Sequence, residues 1–303
     1  MKRLNIRFYF VVLLALGLFF GNLNAQTSSD SIMHALEDSL KNYFNALKLQ
    51  KNDQELLELN SKIKDTLCKA LELENSFDYP FGSLKLLTKL KSEDDVFRIF
   101  NWNLVFQDGH FEYYGFIQYY DTFSEKYKLK ELTDSSEQIC SPENLSMNTD
   151  HWYGALYYDI IEQKGINGTF YTLLGWDGHD IYSNKKVIDV LDFSVTGQPV
   201  FGKSVFVVGK ECRKRIIFEF SEQVNMTLKY SNKHDMIFFD HLVPIKATYS
   251  GKPKFYGPDG SFDGFKFEDN RWHYTPKITI FDPSKRDLKK NKKKKEKEIS
   301  LTF

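Results

Sequence analysis

The sequence predicts a mainly β protein, an antiparallel meander (a barrel, a sandwich or a small propeller-like fold), preceded by an N-terminal helical segment. Three observations carry this. The hydrophobic period changes from about 3.6 to 2 near residue 96. Turn chemistry punctuates the later apolar runs at Gln107-Asp108-Gly109, Asn167-Gly168, Asp177-Gly178 and Pro258-Asp259-Gly260. Aromatics are abundant, with 27 Phe and 17 Tyr, and such side chains suit the half-buried surface of a strand.

Taken in order, the chain opens on an export signal over residues 1–25. Lys2, Arg3 and Arg7 form a basic region, Phe8 to Phe20 is an apolar run, and Gly21 to Ala25 ends it on a small residue. The run is shorter than the roughly 18 apolar residues that span a bilayer, so cleavage is expected and no transmembrane span is expected afterwards. Gln26, not a cysteine, would begin the mature chain, which argues against a lipid anchor.

Residues 26–92 read as helical. Ile32, Leu36, Leu40, Tyr43, Phe44 and Leu47 recur at helical spacing, as do Leu56, Ile63, Leu67 and Leu71. Asn52-Asp53 between them reads as a turn and N-cap. A short third helix is expected over Ser83–Leu90.

Residues 93–283 read as the β domain. Strands are expected at Val96–Val105, Phe111–Tyr120, Tyr127–Leu132, Tyr153–Glu162, Thr169–Trp176 and Lys186–Phe193. More follow at Val205–Val208, Arg215–Phe220, Met226–Tyr230, Met236–Leu242, Phe262–Phe267 and Trp272–Phe281. In Trp152-Tyr153-Gly154-Ala155-Leu156-Tyr157-Tyr158 neither alternating set is polar, the mark of a strand covered on both faces. Gly115–Asp121 with Lys126–Asp134, Tyr171–Gly178 with Lys185–Asp192, and Leu228–Asp235 with Met236–Leu242 form a faint repeat of paired strands. The first two centres are about 55 residues apart, near the length of a propeller blade.

Residues 284–303 form a lysine-rich tail whose like charges repel and are expected to stay disordered. The formal net charge of the whole chain is zero, so no global field attracts nucleic acid. Of the three cysteines, Cys140 and Cys212 lie near loop-like sequence and could pair, whereas Cys68 sits in a helical pattern.

Several groups could carry chemistry. Asp259, Ser261 and Asp263, followed by Gly264, open a loop like that of a calcium site. Position 12 would be Asn270 where a bidentate glutamate is needed, so a plain solvent-facing turn between strands is expected over Pro258–Gly264, with no cofactor. Asp177, His179 and Asp180 form a second acidic turn, able to meet a cation or a sugar hydroxyl. Asp159, Asp189, Asp192, Glu219 and Asp240 interrupt apolar strands, and two of them across a cleft would suit glycoside hydrolysis. Asp240 and His241 are neighbours in a strand and point to opposite faces, so they cannot act as a pair.

The strings Trp152–Tyr158, Tyr171–Gly178, Lys186–Leu191 and Gly257–Gly264 resemble uncharacterised secreted proteins of Bacteroidota-type bacteria. The resemblance covers roughly residues 96–281 and implies no activity and no catalytic residue. The resulting expectation is an exported protein, periplasmic or extracellular. It would be a non-catalytic binding or structural component of the cell envelope, meeting an envelope protein or a glycan. The alternative is an envelope hydrolase with a carboxylate pair.

Overall fold

The computed structural model describes residues 30–166 and 168–279. The expected export signal (1–25) and the expected disordered tail (284–303) lie outside them.

Two helices lead, α1 over 30–47 and α2 over Asp53–Leu71. Asn52 caps α2 as expected, accepting from the backbone N–H groups of Gln54 and Glu55 at 2.9 and 3.2 Å. Of the expected α1 stripe, Leu40 and Phe44 are buried and Leu36, Tyr43 and Leu47 pack against the same core, joined by Met33, while Ile32 is exposed. Glu37 is a buried polar member of this face. It accepts from Tyr79 Oη, from Ser83 N at 2.7 Å and from Ser83 Oγ at 2.8 Å. Burial alone would raise its pKa; the Tyr79 and Ser83 bonds outweigh that and hold it below the usual value.

The expected helix at Ser83–Leu90 is not formed. Thr88–Lys91 pair instead with Arg98–Asn101, and Lys89 Nζ donates to the carbonyls of Phe81 and Leu84 at 2.9 and 2.6 Å. The segment becomes bends and then a strand, β1 (Thr88–Lys91).

Fourteen further strands follow among the described residues. The first sheet joins β1 to β2 (Phe97–Val105), β3 (Phe111–Asp121) and β4 (Lys126–Thr133) in that order. The second contains β5 (Leu156–Gly165), β6 (Gly168–Asp177), β7 (Ser183–Phe193) and β11 (Ile216–Ser221), ordered β11-β7-β6-β5, with β8 (Pro199–Phe201) on the end of β7. The third is ordered β10-β9-β15-β14-β13-β12. Its members are β9 (Phe206–Val208), β10 (Glu211–Arg213), β12 (Leu228–Ser231), β13 (Met236–Pro244), β14 (Tyr256–Glu268) and β15 (Arg271–Ile278). The pairing is antiparallel except that β9 runs parallel to β15 through Trp272↔Phe206 and His273↔Val207, a departure from the purely antiparallel expectation. The three repeated strand pairs are real hairpins, β3–β4, β6–β7 and β12–β13, one in each sheet.

The sheets form a layered sandwich and close no barrel. Phe100, Trp102 and Phe116 face the helices with Leu40, Phe44, Ile63 and Leu67. The opposite face, with Phe97, Ile99, Tyr113 and Ile117, packs on Tyr157, Tyr171, Leu173 and Val187 of the second sheet. The far face of that sheet, with Phe170, Leu174, Ile188 and Val190, packs on Phe206, Ile237, Phe239 and Trp272 of the third. Alternation along β6 sends 171 and 173 one way and 170 and 174 the other, which is why its sequence reads apolar on both faces. Trp152–Ala155 are buried but precede the strand; β5 starts at Leu156 because Trp152 instead exchanges bonds with Thr133 O and Ser135 N at the end of β4.

No helix among the described residues is long and apolar enough to cross a membrane. All three cysteines are free, so Cys140 and Cys212, which the sequence allowed to pair, do not.

Candidate functional site

A cleft of about 580 Å³ opens where the ends of the first two sheets meet. Two turns and the strap after β4 build it. The β2–β3 turn brings His110, its ring stacked on Phe106 at 4.3 Å. Burial alone would lower the His110 pKa; Asp108 at 2.5 Å, with Glu112 and Glu137, outweighs it and raises the value. The β6–β7 turn brings Asp177, His179 and Asp180. Its shape is set by Asp180 Oδ1, which accepts from Tyr182 N and Ser183 N, both at 2.8 Å. His179 has a φ of 51°. Gly178 is required because a Cβ there would sit 2.4 Å from the Phe111 ring.

Asp177 is the floor of the cleft. It is buried and accepts from Tyr113 Oη at 3.0 Å, Tyr153 Oη at 3.4 Å and His179 N at 2.8 Å. Lys185 Nζ stands 3.8 Å from it and 2.9 Å from His179 Nδ1. An ammonium can only donate, so Nδ1 of His179 is the acceptor in that contact. Burial and the Asp177 charge push the Tyr113 and Tyr153 hydroxyls far above the usual tyrosine pKa, so neither releases a proton near neutral pH.

Asp134 forms the wall. Its Oδ1 accepts from Ser136 N, Ser136 Oγ and Gly154 N at 2.9, 2.5 and 3.2 Å; its Oδ2 accepts from Tyr113 N at 3.0 Å. Burial raises its pKa against these four donors. Gly154 has to be glycine, since a Cβ would come within 2.5 Å of this carboxyl group. Lys64 of α2 reaches the rim and pairs with Glu131 at 2.5 Å. The cleft is strongly acidic: Glu112, Glu131, Asp134, Glu137, Asp177 and Asp180 face it against Lys64 and Lys185. A neighbouring cavity of about 460 Å³ shares Ser136 and Lys185 with it and reaches Glu219 and Leu242.

Beneath the floor, the Arg215 guanidinium lies over the Tyr153 ring at 5.4 Å. Arg215 and Asp189 are both fully buried, with Nη2 and Oδ2 2.9 Å apart, although off the line a hydrogen bond needs. Tyr157 Oη donates to Asp189 at 3.0 Å and accepts from Trp152 Nε1 at 3.0 Å.

The acidic turn singled out from sequence, Asp177, His179 and Asp180, is thus in the cleft. The five strand carboxylates are not brought together. Asp189 holds Arg215 and Asp192 holds Lys203. Glu219 accepts from Ser183 Oγ, Asp240 from Thr227 N, and Asp159 from Ile160 N. Only Glu219 lines a cavity described here, the smaller one.

The Pro258–Gly264 expectation is corrected. Leu242 pairs with Pro258 and Asp240 with Phe262, so residues 259–261 bulge out of β14 opposite His241 instead of turning between two strands. The three candidate calcium ligands diverge. Asp259 Oδ1 accepts from Ser261 N and Oγ at 2.8 and 2.7 Å. Asp263 turns inward to His241 Nδ1 at 2.7 Å, Tyr274 Oη at 2.6 Å and Lys277 N at 2.9 Å. Asp240 and His241 part company as expected, and His241 takes Asp263 instead.

Sequence reasoning missed Tyr113, Asp134, Tyr153 and Lys185. In a strand pattern the tyrosines read as core, which they also are, and no local signal marks the other two.

No protein family, curated relative or solved structure matches the chain.

Proposed function

We propose that this is an exported, non-catalytic binding protein of the cell envelope, periplasmic or extracellular, whose acidic cleft takes a polar ligand carrying positive charge. One observation carries the reading: the inner carboxylates, Asp134 and Asp177, are saturated by protein donors, while Glu137 at the rim accepts no hydrogen bond among the described residues. Saturated inner groups fix the cleft's shape; Glu112 already accepts from Tyr114 Oη and Glu131 pairs with Lys64, so Glu137 is the rim carboxylate left to meet a ligand. The export signal and the Bacteroidota-type resemblance of residues 96–281 agree with this reading.

Hydrolysis by a carboxylate pair is the second reading. Its support is that Asp134 and Asp177 lie at the two ends of one residue, Tyr113, and that burial raises the Asp134 pKa. Against it, both oxygens of Asp134 accept from N–H groups, which favour the carboxylate over the protonated acid.

Calorimetric titration of the full chain with spermidine as a cationic probe separates the two. The binding reading expects saturable binding, weakened by salt and by Glu137→Gln with Glu131→Gln. Turnover of chromogenic glycosides, lost in Asp177→Asn, would replace it with the hydrolase reading.

A further inference from the structure

We infer that the open end of β2 is a docking edge for another polypeptide. An extended segment with apolar residues at alternate positions adds there as a strand, antiparallel to β2 and in line with β1. The groove that receives it shares no lining residue with the acidic cleft.

The backbone is the first argument. β1 pairs with β2 only as far as Thr88↔Asn101. Before Thr88 the chain leaves the edge, because Leu84 and Leu87 are buried in the core beneath the helices. β2 runs on through Trp102–Val105, paired on its other side with β3. The direction of its amides follows from the bonds at its start. Phe97 O accepts from Ser92 N at 3.0 Å, toward β1, and Val96 O accepts from Tyr120 N at 2.8 Å, toward β3. Amides alternate in direction along a strand, so Asn103 and Val105 aim their N–H and C=O groups at the side that β1 has left. Among the described residues no backbone group bonds them there.

The trough beside that edge is the second argument. A groove of about 310 Å³ runs along Trp102–Val105, walled by Phe44, Leu47, Leu56 and Leu86. It lies where a longer β1 would run. Side chains directly opposite each other in an antiparallel pair share a face. Residues of the incoming strand opposite Trp102 and Leu104 therefore face the helices and enter the apolar trough, while those opposite Asn103 and Val105 do not. The backbone bonds set register and direction, and the apolar anchors set which sequences fit. Lys48 is the one charged side chain among the described residues lining the groove, so an acidic residue beside an anchor is favoured over a basic one.

A second copy of the chain fits poorly. Edge-to-edge pairing of two β2 strands would offer the trough only Trp102 and Leu104, which are buried in their own core. Sheet edges are commonly blunted by charge, proline or a cover; Val105, 50% exposed, leaves this one bare.

The test is selection of a random octapeptide library on the full chain, with the consensus peptide then measured by fluorescence anisotropy. Selected sequences should alternate apolar with polar residues and favour acidic over basic ones. Val105→Pro removes an N–H that faces the open side and no bond of the β2–β3 ladder, a placement proline tolerates on an edge. It should weaken the consensus peptide at least about tenfold, the loss of one well-made hydrogen bond, and Leu86→Glu should weaken it as much by charging the trough wall. Hydrogen exchange at the Asn103 and Val105 amides should be fast in the free chain and slowed by the peptide. That measurement needs no substitution and decides alone if either variant is unstable. No selected peptide, sequences without alternation, or a consensus peptide indifferent to Val105→Pro overturns the proposal. Slow exchange at both amides in the free monomeric chain makes the occupant a segment of the chain itself. Concentration-dependent self-association that Val105→Pro abolishes makes it a second copy. Either result also overturns it.

Discussion

Two interlayer spaces in this molecule are built from the same kinds of strand and filled differently. Between the first and second sheets lie Tyr113, Tyr119, Tyr153, Tyr157 and Tyr171, each with its hydroxyl on a polar partner: Asp177, Gln198, Asp177, Asp189 and Asp94. Between the second and third lie Phe170, Phe206, Phe220, Phe239 and Phe265, and the bond from Trp272 Nε1 to Thr172 Oγ1 at 3.0 Å is a polar link across it. Apolar packing suffices to hold two sheets together. The first space carries a polar network as well, and that network ends at the floor of the cleft. Buried polar groups cost stability unless every member is satisfied, so the difference fits the proposal that the first space is shaped for recognition.

The comparison breaks first at the buried ion pair. Arg215→Leu strands the Asp189 carboxylate and should cost about 3–5 kcal/mol in denaturant unfolding, with most of the loss recovered when Asp189→Leu is added. In the apolar space Phe206→Ala should cost a similar amount, about 3–5 kcal/mol, with no partner substitution that restores it. If the Arg215 and Asp189 substitutions simply add, the two do not form the coupled pair described.

Tyr113→Phe comes next. It removes one donor from Asp177 and the acceptor of Gly178 N, which lies 2.6 Å from the hydroxyl, and should cost about 1–3 kcal/mol. It should also weaken spermidine binding by loosening the floor. Unchanged affinity at reduced stability would uncouple the tyrosine network from the cleft.

The smallest effect concerns pH at the helical layer. Glu37 has its pKa depressed in the folded state, so its contribution is fully present above the unfolded glutamate value of about 4.3 and is lost as pH falls through the folded value. Glu37→Gln should flatten stability against pH in that acid window and leave the profile near neutrality unchanged in shape. A wild-type profile that is already flat there would remove the latch between α1 and Ser83.

Fold class was legible because period is a local signal. The alternation along β6 and β7 and the turns at Asp108-Gly109 and Asp177-Gly178 can be read without knowing their neighbours. What could not be read depends on groups far apart in sequence. Ser83–Leu90 has helical spacing, yet its second half, Thr88–Lys91, pairs with Arg98–Asn101 of β2. Pro258-Asp259-Gly260 has turn chemistry, yet pairing of both its flanks with β13 makes it a bulge. The acidic turn at Asp177 was visible as a string; its role as a floor needed Tyr113 and Tyr153, which lie 64 and 24 residues before it.

The most direct test of the cleft as the binding site is a heteronuclear NMR titration of the isotope-labelled full chain with spermidine. The account predicts shift changes confined to the amides of His110–Tyr114, Thr133–Gln138 and Asp177–Lys185, with the space between the second and third sheets silent. Changes centred on the Asp259–Asp263 bulge, or spread over the third sheet, would contradict it.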